Sequence, residues 1–398
     1  MKIKNYSLPK ITCLVILVIA VITLFVIRAG IADNGLLSAT LTDIGLYDHQ
    51  SASGSGYFAD SFGVASKEIG KGSGGLVYGI IKAFLPVDGV LFVYIPAIIY
   101  LLLFLIGIYL VLKNSLCGNF GNNVLMCLLS AVIIADSGYV MFFNTPYTEA
   151  SFISFLAMFI GSFMAYSNKR KKVYLLLAGV FACLIGSLGI YYAALGILLG
   201  LSLLAFSKER ALSAKILSVL MSVLVISASL FGFTVEKDSD INRYNRVFYG
   251  VLTVAENKAE ALKDLGIDEK YADFANVPFF EEKAVKLINS SEFDEIYTKA
   301  DIKNIAKYYL SHPKELKQGL KLSAQNSTSI RCKYLGNFSS SSNKPFYPNT
   351  IFGIYNSLKS RIIPASLPFI LVFFIGVIAL GLGFMGKFKS KKGIVLTT

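Results

Sequence analysis

Residues 90–112 read VLFVYIPAIIYLLLFLIGIYLVL, an apolar stretch that contains no charged side chain. A helix needs about 20 residues to cross the hydrocarbon core of a bilayer, so this stretch is long enough to span a membrane. Similar stretches recur and together predict about eight spans, at residues 11–27, 90–112, 124–143, 150–166, 173–189, 190–206, 216–235 and 367–384. The spans at 173–189 and 190–206 share one apolar run, so they either form a tight hairpin of short helices or include a re-entrant segment.

The composition of the whole chain agrees with a membrane protein. Of its 398 residues, 55% are hydrophobic and only 16% are charged, and the mean hydropathy is +0.61. Soluble domains are about 45–50% apolar and about 25% charged, whereas disordered chains have low hydrophobicity. The composition therefore excludes an ordinary soluble enzyme and a disordered chain, and together with the spans it predicts an all-α polytopic membrane protein.

The net charge of +13 follows the predicted membrane topology. With the N-terminus in the cytoplasm, the predicted cytoplasmic segments hold many basic residues, such as Lys169 and Arg170, and their only acid is Glu209. The two long outer segments are nearly neutral. This distribution is the positive-inside pattern of membrane proteins, so it predicts cytoplasmic N- and C-termini and a lipid bilayer as partner rather than nucleic acid.

The sequence divides into three regions. Residues 1–235 form the predicted transmembrane bundle with a first extracytoplasmic loop at 28–88, residues 236–361 a mostly helical extracytoplasmic domain, and residues 362–398 the last span and a basic cytoplasmic tail. Helical spacing predicts an interfacial or re-entrant helix at 76–85 and outer helices at 255–265, 281–288, 293–309 and 313–324. A cleaved signal peptide is the alternative for the first apolar stretch, and the spans that follow favour an uncleaved helix.

Asp33 is the candidate catalytic residue. It follows the first predicted span, in Ala32-Asp33-Asn34-Gly35, at the outer boundary between membrane and water. Partial desolvation at such a boundary raises the pKa of a carboxyl group and suits a general base, whereas Asp-Asn-Gly is also common in solvated turns. Asp43 and His49 follow in the same outer loop and are candidate substrate contacts.

A second set of candidates lies around the third predicted span. Asp136 falls inside this span, and intramembrane carboxylates usually face a bundle interior or a wet cavity. Tyr139 follows it, and Asn144, Tyr147 and Glu149 lie in or beside the short outer loop before the next span. These side chains are either substrate contacts beside a membrane cavity or structural hydrogen-bonding groups.

A third set, Arg243, Tyr244 and Arg246, follows the span at 216–235. Paired guanidinium groups near the interface suit a phosphate group, although lipid headgroups and surface ion pairs also engage them. The two histidines, His49 and His312, are far apart, so no metal cluster is predicted. No cofactor is indicated with certainty, and a divalent metal is possible but unsupported. The sequence also contains no Walker A loop, which argues against an ATP-driven pump.

Four groups of short motifs follow one another along the chain. They are ADNG at 32–35 with DIGLY at 43–47; DSGY at 136–139 with FNTPYTE at 143–149; YNRVFYGVL at 244–252 with LGI at 265–267; and HP at 312–313 with YLGNF at 334–338 and SLK at 357–359. This ordered set resembles the GT-C glycosyltransferases, and more specifically the bacterial glycan-biosynthesis hexose transferases of the WsfD-like kind.

The resemblance implies an activity and roles for the candidates. Such enzymes take a hexose from a polyprenyl-phosphate donor and pass it to a glycan acceptor, here a cell-surface or cell-wall glycan on the extracytoplasmic face. By resemblance, Asp33 is the general base of an inverting transfer, and Arg243 or Arg246 contacts the phosphate. The resemblance also implies that Asp136, Tyr147 and Glu149 position the donor or the acceptor. Another acid often follows the first-loop motif in such proteins, whereas Leu36-Leu37-Ser38 follows here, which weakens the case for a divalent metal.

Two other functions are compatible with the sequence. A transporter or flippase of a lipid-linked glycan would use Asp136 as a coupling site, although the repeated halves typical of transporters are not evident. The third reading is a non-catalytic subunit of an envelope-glycan assembly complex. Release of sugar from a synthetic polyprenyl-phosphate donor distinguishes an enzyme from both.

Overall fold

The computed structural model describes residues 19, 37–48, 61–68, 70, 72–115, 125, 131, 134, 136–204, 211–235, 240–279, 281–327, 358–359, 361–373 and 375–376. The chain divides into two compact units. The first unit comprises Met1–Glu236, Ser329–Ile362 and Gly376–Thr398, and the second comprises Lys237–Thr328 and Ile363–Ile375. The predicted span at 11–27 lies outside the described residues except for Ile19, as does most of the span at 367–384 beyond its helical start at 367–373.

The first unit begins with short elements that precede the long helices. Helix α1 (Leu37–Asp43) is followed by strands β1 (Leu46–Tyr47) and β2 (Ser61–Val64), helix α2 (Leu76–Ala83) and strand β3 (Val90–Phe92). The strands form an antiparallel sheet in the order β1-β2-β3. The prediction of an all-α protein is therefore wrong in this region, because Leu46, Phe62 and Leu91 bury one face of a small sheet.

The helices that follow in the first unit form a bundle. They are α3 (Tyr94–Ser115), α4 (Ser137–Val140) with a following 3-10 turn at Met141–Asn144, α5 (Thr148–Lys169), α6 (Lys172–Gly186), α7 (Ile190–Leu203) and α8 (Leu212–Val235). By length and composition, the described residues contain three helices able to cross a membrane: Tyr94–Asn114, Thr148–Lys169 and Leu212–Val235. These confirm the membrane character of three predicted spans, and the total of about eight spans stays a prediction.

Two predicted spans differ from the structure at their boundaries. The span at 90–112 begins as strand β3, so its helix starts only at Tyr94. The span at 124–143 is interrupted at Asp136, which is not helical, and its described end is a short helix followed by a 3-10 turn. Helices α6 and α7, of 15 and 14 residues, separate at residues 187–189 as the sequence indicated.

Small residues bring α3 and α5 into close contact. A Cβ atom on Gly107 would lie 2.6 Å from the backbone nitrogen of Met158, and one on Gly161 would lie 2.7 Å from the Cβ of Leu110. Neither position has room for a side chain. Backbone approach at small residues is the usual way in which apolar helices associate in a membrane, where no hydrophobic force drives them together.

Replacing Gly107 by Leu is expected to separate α3 from α5. Overpacking costs about 1–3 kcal/mol or more when a backbone cannot yield. Thermal unfolding of the purified chain in detergent measures the loss. Ile106→Leu is the matched control, because Ile106 is exposed on the same helix. The protein with this substitution should unfold at the wild-type temperature. Equal unfolding temperatures for the Gly107 and Ile106 variants would contradict the close contact.

The second unit is a set of short helices around one hydrophobic core. Its elements are α9 (Asp240–Tyr244), a π-helical segment at Asn245–Val251, α10 (Leu252–Val254), α11 (Lys258–Asp264), a 3-10 turn at Glu269–Phe274, α12 (Glu282–Ile288), α13 (Glu292–Lys299), α14 (Ile302–Ser311) and α15 (Pro313–Asn326). The core includes Phe248, Leu262 and Phe293.

The predicted helix at 293–309 is wrong as a single element. It divides into α13 and α14 at Ala300, because the Asp301 side chain accepts a hydrogen bond from the backbone N–H of Asn304 at 2.7 Å and caps α14. This is the usual role of an aspartate at a helix start. The predicted start near residue 313 is confirmed, with Pro313 in the first turn of α15.

Candidate functional site

The first-loop candidates are only partly visible. Asp33 and His49 lie outside the described residues. Asp43 is exposed at the last position of α1, and Gly45 follows it with a positive φ of 69°. Glycine adopts this left-handed backbone conformation easily, which allows the chain to turn from α1 into strand β1. Asp43 therefore lies directly before a sharp turn.

A buried lysine fixes the backbone of this loop. Lys82 of α2 is 1% exposed, and its ammonium donates hydrogen bonds to the carbonyl oxygens of Ile44, Ser66 and Glu68, the last two at 3.2 and 2.5 Å. Desolvation lowers the pKa of Lys82 from its usual value. Sequence reasoning missed this residue, and its signal is one lysine in the otherwise apolar sequence of α2.

The glycine-rich segment before α2 docks on the helix ends of the bundle. Ser73 donates hydrogen bonds from its hydroxyl to the carbonyl of Leu184 at 2.5 Å and from its backbone N–H to that of Ser187 at 3.2 Å. A Cβ on Gly74 would lie 2.7 Å from the side chain of Thr148. The segment thus packs directly against the start of α5 and the turn after α6.

Buried hydroxyl groups lie where the glycine-rich segment packs against α5. Ser151 donates a hydrogen bond to the Tyr100 hydroxyl at 2.8 Å and lies 3.3 Å from the carbonyl of Gly74. Tyr78 of α2 is fully buried, and burial with Tyr100 nearby raises the pKa of Tyr78. Within the described part of the chain the Tyr78 hydroxyl has no hydrogen-bond partner, an uncommon condition for a buried polar group.

Glu149 lies beside these hydroxyl groups. It occupies the first turn of α5, where a negative charge is favoured by the helix dipole, and it is close enough to Tyr192 to interact electrostatically. Thr148 donates a 3.5 Å hydrogen bond to the Tyr192 hydroxyl, and the ring of Phe152 packs 4.8 Å from that of Tyr192. One predicted candidate therefore stands in a half-buried polar environment at a helix end.

Asp136 and Tyr139 form a second polar centre. Asp136 is 1% exposed, and its carbonyl oxygen accepts the N–H groups of Tyr139 and Val140 as α4 begins. The Tyr139 hydroxyl accepts a hydrogen bond from Lys359 at 2.9 Å, and the same ammonium lies 5.3 Å from the Tyr139 ring centroid. Lys359 thus contacts the tyrosine that lies three residues after the buried Asp136.

Asn144 and Tyr147 are more buried than a solvated loop would allow. Both lie within the turn between α4 and α5, at 2% and 4% exposure. The turn is closed by Thr145, whose hydroxyl donates to the carbonyl of Phe142 at 2.7 Å. The predicted short outer loop is therefore part of the packed bundle.

The arginine pair belongs to the second unit. The Arg243 guanidinium donates to the carbonyl of Tyr297 and lies 3.6 Å from the Tyr297 ring centroid, so it joins α9 to α13. Arg246 is half-buried in the π-helical segment. Tyr244 is fully buried, and its hydroxyl donates to the carbonyl of Val277 at 3.0 Å. Tyr244 is thus a core residue of the second unit, and its role as a substrate contact stays a prediction.

Two candidates of the first unit have polar neighbours within that unit. Glu149 interacts electrostatically with Tyr192, and the Tyr139 hydroxyl accepts a hydrogen bond from Lys359. The arginines belong to the second unit. Among the described residues, no group of three or more His, Cys, Asp or Glu side chains could hold a metal ion. The chemistry that these groups offer is acid–base exchange and recognition of an anion.

Long apolar helices with buried polar groups at their ends define a helical membrane protein. The chain belongs to the family described as the YfdI N-terminal transmembrane domain, whose family model matches residues 1–397. Comparison with curated proteins and with solved structures gave no significant match.

Proposed function

We propose that the protein is a membrane glycosyltransferase that moves a hexose from a polyprenyl-phosphate donor to a cell-surface or cell-wall glycan. Its family membership supports a membrane protein, and the ordered motifs that resemble the GT-C enzymes support the reaction class. The observation that carries the proposal is the buried Asp136 directly before the short helix α4, in which the Tyr139 hydroxyl accepts a hydrogen bond from Lys359. A buried acid among apolar helices is costly and usually serves function.

The proposed reaction is a single displacement. Asp33 takes the proton of an acceptor hydroxyl, whose oxygen forms a bond to the anomeric carbon. The bond from that carbon to the phosphate oxygen breaks on the opposite face, and the phosphate leaves with the electron pair. The anomeric configuration inverts, through an oxocarbenium-like transition state.

The proposed topology places this reaction on the extracytoplasmic side. Both termini lie in the cytoplasm, and the regions 28–88 and 236–361 lie outside, as the distribution of basic residues favours. The carrier tail remains in the bilayer while its phosphate reaches the boundary. The Lys82 network supports this scheme, because it ties together the backbone at Ile44, Ser66 and Glu68, which follow Asp33 in the chain.

Lys359 is the proposed phosphate contact of the first unit, and Arg246 remains a second candidate. An ammonium held by a tyrosine hydroxyl beside a membrane helix suits the negative charge that develops on the leaving phosphate. Arg243 is a weaker candidate, since its guanidinium already stacks on Tyr297. Asp136, Tyr147 and Glu149 are proposed to position the donor or acceptor.

Replacing Lys359 by Gln is expected to raise the donor KM about tenfold, because a hydrogen bond to a charged group contributes about 1.5–3 kcal/mol. Steady-state transfer with varied donor measures the effect. Lys113→Gln is the control, since Lys113 is exposed in the last turn of α3 and should leave the KM unchanged. An unaltered donor KM in the Lys359 variant would remove this residue from the phosphate site.

Transfer itself is tested with the purified full chain and a synthetic polyprenyl-phosphate hexose that carries a radiolabelled sugar. The proposal expects the label to move from the lipid phase to a water-soluble glycan acceptor. A flippase is the second candidate, because a helix interrupted at a buried acid is also typical of transporters. Lipid that crosses a vesicle membrane with its sugar still attached would favour the flippase.

A further inference from the structure

A basic groove lies entirely within the second unit. It has a volume of about 510 Å³ and is formed by the end of α11, the end of α13 and one side of α14. The groove takes no part in the proposed displacement. Three of its lining residues are lysines, namely Lys263, Lys299 and Lys307, and all three are exposed.

The groove has an excess of positive charge. Among the described residues, none of the three lysines forms an ion pair. The one acid in the lining is Asp264, whose Oδ2 lies 3.2 Å from the Nε2 of His312. A concave surface lined by one sign of charge concentrates ions of the opposite sign. Lys263 and Lys299 also stand in the last turns of their helices, where cations are favoured, but Lys307 lies inside α14, away from either end.

The base of the groove is held in place by Tyr308 and His312. Their rings stack with centroids 4.3 Å apart, the His312 Nδ1 lies 2.9 Å from the carbonyl of Tyr308, and the Tyr308 hydroxyl donates to the carboxylate of Glu315. Burial and the nearby Glu315 raise the pKa of Tyr308, so this hydroxyl keeps its proton as a donor. The lysines therefore extend from a preorganised base.

We propose that this groove binds an acidic oligosaccharide, a glycan segment that carries carboxylate or phosphate groups. That this glycan is the acceptor of the transfer rests on the proposed function. Its binding to the groove is independent of that function. A glycan fits the lining better than an anionic membrane surface does. The large apolar and aromatic side chains described there, Leu265 and Tyr308, are buried, whereas surfaces that lie on membranes present such side chains beside their cations.

The test measures binding without any sugar donor, so its result is independent of transfer. The full chain is held in nanodiscs of neutral lipid, and the probe is a fluorescent hexagalacturonate. The fully methyl-esterified hexamer has the same backbone without the charges. The variant replaces Lys263, Lys299 and Lys307 by Gln, and the control makes the same charge change on α15 at Lys314, Lys317 and Lys321, which are exposed and lie outside the groove.

The expected result is that the wild-type chain binds the acidic hexamer more tightly than its ester, and less tightly as salt rises. The groove variant should bind about tenfold more weakly, as three exposed ion pairs allow, and the α15 variant should bind as the wild type does. Equal losses in both variants, or no preference for the acidic hexamer, would overturn the proposal. So would a groove variant whose only defect is weaker binding to vesicles that contain anionic lipid.

Discussion

Replacing Lys82 by Met should destabilise the first unit by about 3–5 kcal/mol. Three backbone carbonyls that now accept from the Lys82 ammonium would lose their donor inside the protein. Each buried acceptor left unsatisfied costs about 1–3 kcal/mol, which exceeds what the added apolar contact of Met returns. We expect a large drop in unfolding temperature in detergent and early proteolysis of the segment between α1 and α2.

Lys67 provides the matched control for this experiment. It is exposed, and it makes one hydrogen bond, to the carbonyl of Lys82 at 2.5 Å. Lys67→Met should therefore cost less than about 1 kcal/mol, within the usual range for a surface substitution. If the two methionine variants unfold at the same temperature, the Lys82 network does not stabilise this loop.

Replacing Asp33 by Asn should reduce hexose transfer by about 10²–10⁴-fold, the usual contribution of a general base. The substitution preserves size and turn propensity, so expression and the unfolding temperature should stay at the wild-type level. Transfer rates at saturating donor and acceptor measure the loss, and the donor KM should change little because proton removal is a later step than binding.

Asp88→Asn is the control for Asp33→Asn. Asp88 is exposed and adopts a positive φ of 63°, a conformation that Asn tolerates, so this variant should retain full transfer. Near-normal transfer by the Asp33 variant would exclude Asp33 as the base. Equal losses in the Asp33 and Asp88 variants would point instead to a general effect of acidic residues in the outer loop.

Local sequence properties were enough to predict the long helices. Apolar length alone identified α3, α5 and α8, because burial in a membrane demands uninterrupted apolar side chains. The small sheet escaped prediction because β1 has two residues and β3 three, too few for an alternating pattern. The division at Ala300 was readable in principle, since Asp301 is a good helix cap, but the apolar spacing on both sides is continuous.

Contacts between distant residues were not predictable from one sequence. Tyr139 and Lys359 are 220 positions apart, and nothing in either local motif indicates the other. Lys82 could be noticed as one charge in an apolar helix, yet its partners come from carbonyls that depend on the conformation of the loop. Tyr244 and Arg243 were predicted as substrate contacts from their sequence motif. In the structure Tyr244 packs in the core, and Arg243 stacks on the ring of Tyr297.

The anomeric configuration of the product tests the central claim most directly. A purified chain, given a polyprenyl-phosphate hexose of known configuration and a glycan acceptor, should yield a glycoside of the opposite configuration, read from the anomeric proton coupling by NMR. A product of retained configuration would contradict a single displacement assisted by Asp33. An intact donor after the wild-type protein has bound both substrates would contradict glycosyl transfer altogether.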